Sequence, residues 1–135
     1  MIEANELRIG NWVNVPECGI NAQVDIIGVK KACIDNSKID LYIEDPSFFL
    51  ESLNTIPLTE EILLKCGFEK QSSQYYIKEN DNANLLLFYS AGHNTYYYFA
   101  DVERRQYNST LAILHLHQLQ NLYFALTRIE LEIKL

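Results

Sequence analysis

Cysteine is scarce in this chain, and the three present, Cys18, Cys33 and Cys66, are an odd and widely spaced set with no Cys-x-x-Cys pair. That argues against a disulfide framework and more strongly against a cysteine zinc site, and favours buried, reduced thiols. Basic residues are thin as well, with 11 Lys and Arg against 18 Asp and Glu and a formal net charge of −7. Residues 1–56 hold four cations against nine carboxylates, a balance of −5, and residues 57–135 hold seven against nine, a balance of −2. Such a field repels a phosphate backbone and disfavours nucleic acid, since only Lys30-Lys31 and Arg104-Arg105 form local basic pairs. No apolar run approaches the roughly 20 residues that cross a bilayer. Glu3 and Glu6 stand where a signal peptide would carry its apolar stretch. The expectation is a soluble, cytoplasmic protein with no membrane partner. There is no internal repeat, no low-complexity tract and no glycine-rich phosphate loop. No Ser, Cys or Lys has a recognisable activating context, so enzyme activity is not expected and no cofactor is implied.

What the chain does have is strand patterning in two blocks. In the first, Gly10-Asn11 suits a tight turn, and Val13 and Val15 then share one strand face opposite Trp12. Further strands are predicted over Ala22–Val29, Lys31–Asp35 and Lys38–Glu44, the last alternating Ile39, Leu41 and Ile43 with polar positions. Short strands and tight turns point to a small SH3-like meander or barrel over residues 1–53. The second block, residues 54–135, opens with a short helix. Thr59 is its N-cap, Glu60 and Glu61 meet the positive end of the helix dipole, and Gly67 ends it. Two hairpins follow, through Gln74–Glu79, Asn84–Ser90 and Thr95–Asp101. Val102–Ser109 reads as a polar loop or strand end, and Thr110–Leu116 as a further strand. From Leu116 the period changes to Leu116, Leu119, Leu122, Tyr123 and Leu126, the stripe of a helix. Alternation of Ile129, Leu131, Ile133 and Leu135 predicts a terminal edge strand. The fold class is therefore α+β: an SH3-like amino-terminal β lobe, then an antiparallel sheet with two short helices, together forming one unit.

Three segments carry a resemblance: Asn5-Glu6-Leu7-Arg8-Ile9-Gly10-Asn11-Trp12-Val13; Ile56-Pro57-Leu58-Thr59-Glu60-Glu61 with Cys66-Gly67-Phe68-Glu69; and His117-Gln118-Leu119-Gln120-Asn121-Leu122-Tyr123-Phe124-Ala125-Leu126-Thr127. Their order and spacing resemble a family of small uncharacterised proteins from Bacteroides-type gut bacteria and their prophages or mobile elements. The resemblance implies no activity. Family members often carry Gly after the Thr that ends the last helix. Here that position is Arg128, so a left-handed helix stop lacks its usual residue.

Two residue sets remain as site candidates. His115 and His117, two apart on a continuing strand, would point the same way and could offer two metal ligands, but no third ligand is identifiable. The structural alternative has His115 filling a sheet position and His117 bonding free amides at the helix start. Glu60 and Glu61 lie about 100° apart around a helix and do not make an acid–base pair. The tyrosines form the other set, concentrated in the second block. Tyrosine packs on sheets, and it also favours interfaces. Tyr96, Tyr98 and Trp12 are the candidate interaction surface. Leu85, Leu87 and Tyr89 against Leu86 and Phe88 make Asn84–Ser90 apolar on both sides, so both sheet faces are expected to be covered. A protein partner, including a second copy in a homodimer, would serve. The function expected is that of a non-enzymatic accessory or interaction protein, with a nucleic-acid module built on Trp12 and Lys30-Lys31 as the alternative and an enzyme of unrecognised type as the third reading.

Overall fold

Gly10 adopts φ +92°, a backbone conformation that side chains with a Cβ rarely take, and so turns the chain into the first strand. Asn11, fully buried, locks this turn by accepting from the Arg8 amide at 2.6 Å. The computed structural model describes residues 2, 6–28, 31–35, 45–80, 83–102, 105–108 and 112–134, with the side chains of 80, 102 and 105–108 left aside. These residues form two antiparallel sheets and two α-helices, an α+β architecture. The chain divides into two units: residues 1–57 with His115–His117, and residues 58–114 with 118–135.

The first unit is a four-stranded sheet in the order β1-β2-β3-β4, with β1 Trp12–Val15, β2 Ile20–Ile27, β3 Lys31–Asp35 and β4 Ser47–Phe49. Strand parity sends Val13, Val15, Ala22, Val24, Ala32, Ile34 and Phe48 into one core, which Ile2, Leu7, Leu50 and Leu53 complete. A bulge between Val24 and Ile26 shifts the β2–β3 register and bends the strand. The strand expected over Lys38–Glu44 lies outside the described residues.

In the second unit, α1 (Glu60–Lys65) follows its local signals. Thr59 Oγ1 accepts from the Ile62 amide at 3.2 Å, and Gly67 leaves the helix at φ +87°. A five-stranded meander runs β5 (Glu69–Lys70), β6 (Tyr75–Asn80), β7 (Ala83–Ser90), β8 (Thr95–Val102) and β9 (Arg105–Asn108). Strand β9 occupies the stretch expected to be a loop or strand end. It pairs with β8 from Phe99↔Asn108 to Val102↔Arg105, and backbone pairing needs no apolar side chains. Only Ile113 and His115 of the expected Thr110–Leu116 strand make bridges, to Tyr96 and Pro57, while 109–111 lie outside the described residues.

Helix α2 spans Leu116–Thr127. It buries Leu116, His117, Leu119, Gln120 and Tyr123, while Leu122 and Leu126 are only half-buried. The buried stripe is thus rotated from the expected one and includes two polar residues. Arg128 takes φ +62° and donates its amide to Phe124 O at 2.8 Å, so the left-handed stop forms without glycine. Residues 130–134 form no strand, although Leu131 is buried. Alternation alone supplied no pairing partner for them.

Candidate interaction surface

Register divides the second sheet into two faces, because directly opposed residues of antiparallel strands share a side. Tyr76↔Leu87↔Tyr98 and Leu85↔Ala100 set the first face, which Tyr89↔Tyr96 and Lys78 extend. Its centre is packed: Tyr76, Leu85, Leu87, Tyr96 and Ala100 are all buried. Lys78 Nζ on this side donates to Cys66 O at the end of α1 (2.7 Å) and lies 5.7 Å from the Tyr123 ring centre of α2, so both helices lie over this face. Tyr96 meets the rings of Tyr89 at 5.0 Å and Tyr76 at 6.1 Å, and burial pushes its hydroxyl pKa up to about 12.

The second face carries Tyr75, Ile77, Leu86, Phe88, Tyr97 and Phe99 across three adjacent strands. Tyr75 and Phe99 are 40% and 41% exposed, and the other four are half-buried. Tyr75 and Phe88 stack in a tilted pair with centroids 5.1 Å apart. Carboxylates border the patch. Glu69, opposite Ile77, and Glu79, two residues further along the same strand face, are exposed, and Asp101, just past Phe99, lies in the row of Glu79 two strands away. Glu69, Ile77 and Glu79, with Gly67 and Gln71, line a cleft of about 330 Å³. The sheet's described cations are bonded to other groups: Lys70 to Glu60 at 2.7 Å, and Lys78, beside Gly67, to Cys66 O as above. The face is therefore apolar and aromatic at its centre and acidic at its margin.

Comparison with family models, with curated proteins and with solved structures gives no match. Only the chain's own geometry bears on function.

The residues singled out from sequence fall in different places. Tyr96, 6% exposed, and half-buried Tyr98 belong to the helix-covered face. Trp12 is half-buried in β1, opposite Val13 and Val15. Tyr75, Phe88, Tyr97 and Phe99, which form the open face, were not singled out. Their signal was present as parity, but β8 is aromatic at both parities, and parity does not say which face the helices take.

His115 and His117 come together in the first unit with nearly parallel rings, 5.9 Å between centroids and 12° between planes. His117 is 1% exposed, and neither ring nitrogen has a hydrogen-bond partner among the described residues. It does not bond the amides at the start of α2 as expected. There the Leu116 amide donates to Ile56 O at 2.8 Å, and the Leu114 amide donates to Gln118 Oε1 at 2.9 Å. Glu6 Oε2 lies 3.9 Å from His117 Nε2, an ion pair only if the imidazole is protonated. Burial lowers the His117 pKa, with Glu6 opposing, and it lowers that of His115 in the same way, so His117 sits neutral at pH 7. Among the described residues, no three His, Cys, Asp or Glu side chains are grouped to hold a metal ion.

Proposed function

We propose that this chain is a non-enzymatic interaction protein that docks a protein partner on the open face of its second sheet. One observation carries this reading: six large apolar side chains, four of them aromatic, form a contiguous patch that neither helix covers, where a one-sided sheet would place polar residues. We read the amino-terminal sheet as an SH3-like meander, the protein as cytoplasmic, and its role as an accessory one consistent with the mobile-element resemblance. The aromatic centre could also stack nucleobases, but its charged neighbours are carboxylates, and Lys31 of the first unit lies 4.4 Å from the Phe49 ring centre.

Site-specific photo-crosslinking in source cells tests the reading, with a benzophenone side chain at Phe99 and a control at Ile9, which is 61% exposed in the first unit. The expected result is a discrete protein adduct from position 99 that position 9 does not give and that Tyr75→Ser abolishes. Equal labelling from both positions, or salt-sensitive retention of the protein on DNA that Tyr75→Ser weakens, would overturn it.

A further inference from the structure

We infer, resting on that docking reading, that the occupant of the open face is a cationic apolar segment of another protein, one that sets Lys or Arg beside large apolar side chains, rather than a second copy of this chain.

The area argues first. Aromatic side chains present about 150–250 Å² each, so two at two-fifths exposure and four half-buried neighbours leave on the order of 300 Å² of apolar surface open. A stable protein–protein interface takes roughly 800 Å² from each partner. The patch is the right size for a short segment and too small by itself for a durable dimer.

Charge argues next. Glu69 and Glu79 flank Ile77 and line the 330 Å³ cleft, and Asp101 lies two strands away in the same row as Glu79, just past Phe99. Neither glutamate makes an ion pair with a described cation, since Lys70 is bonded to Glu60 and the Lys78 ammonium, which lies against Gly67 of the cleft wall, is bonded to Cys66 O. A second copy would bring the same carboxylates to meet them, from a chain of net charge −7. A lysine or arginine side chain entering the cleft supplies the missing charge. Its apolar neighbours then fall on Leu86, Phe88, Tyr97 and Phe99, one and two strands away at about 4.8 Å per strand.

The experiment measures fluorescence anisotropy of two labelled 12-residue probes against the full chain, one alternating Lys with Phe and Leu, the other with Glu in place of every Lys. The Lys probe should bind and weaken with added salt, and the Glu probe should bind at least about ten-fold less well. The double variant Glu69→Gln/Glu79→Gln, at exposed positions that leave folding intact, should weaken the Lys probe about ten-fold, whereas Glu17→Gln/Asp25→Asn, an equal charge loss in the first unit, should not. Equal binding of both probes, or equal loss from both double variants, would overturn the inference. If Phe99→Ser abolishes binding while Glu69→Gln/Glu79→Gln does not, the docking face stands and the cationic occupant is wrong. If Phe99→Ser has no effect on a bound probe, the face itself is wrong. A dimer mass by light scattering at micromolar concentration, lost in Phe99→Ser, would assign the face to a second copy instead.

Discussion

Replacing His117 by leucine removes a ring whose two nitrogens are buried with no hydrogen-bond partner among the described residues and leaves a side chain of similar volume. An unpaired buried polar group costs about 1–3 kcal/mol, and an apolar replacement of similar shape recovers part of it. His117→Leu should therefore raise stability at pH 7 by about 1 kcal/mol or more. The larger effect is in its pH dependence. Burial holds the folded pKa of His117 below its ordinary 6.5. As pH falls below about 6.5, the unfolded chain takes up a proton at this position that the folded chain refuses. Stability then drops by up to about 1.4 kcal/mol per pH unit until the folded pKa is reached. Glu6, 3.9 Å from Nε2, and the parallel His115 ring are the titratable neighbours that face it. His115 is shifted in the same direction, so the variant should keep a shallower acid limb rather than none. Urea unfolding at pH 7.0, 6.0 and 5.0 on both proteins reads all of this. A variant that is less stable at pH 7 and keeps the full acid slope would refute the reasoning, and would mean that the ring nitrogens are satisfied and that the acid sensitivity lies elsewhere.

Arg128→Gly should stabilise the protein by about 0.5–1 kcal/mol, because Arg128 holds φ +62° and the left-handed conformation costs a residue with a Cβ about 1–2 kcal/mol, partly offset by the greater unfolded freedom of glycine. A lower melting temperature would contradict this. Thr59→Ala removes the acceptor for the Ile62 amide and should cost about 1 kcal/mol in chemical denaturation, with no change expected if the cap is idle. Burial pushes the Cys66 thiol up to about 12, against the opposing charge of Lys78, so iodoacetamide at pH 8 should leave Cys66 unmodified in the folded protein and label it in urea. Rapid native labelling of Cys66, mapped by mass spectrometry, would show that its helix end opens.

Elements whose signals are local were legible in the sequence. Thr59, the Glu60-Glu61 pair and Gly67 mark α1 because caps and dipole partners act within one turn. Val13 and Val15 fall inward, and the hairpins through β7 and β8 form, because strand parity and turn residues act over a few positions. Features that need a partner distant in the chain were not legible. Strand β9 exists because β8 offers it a backbone ladder, and residues 130–134 have none among the described residues. Arg128 accepts a left-handed conformation because the turn after α2 needs one, at a cost that the last-turn hydrogen bonds help to offset. The same holds for the face that carries the proposal. The sequence by itself determined that the second sheet is apolar at both parities. Which parity goes under the helices and which stays open was decided only in the tertiary structure, where Lys78 is held at the end of α1 and over Tyr123. That placement buries Tyr96 and leaves Tyr75 and Phe99 to solvent, because two short helices can cover one face of a five-stranded sheet and no more.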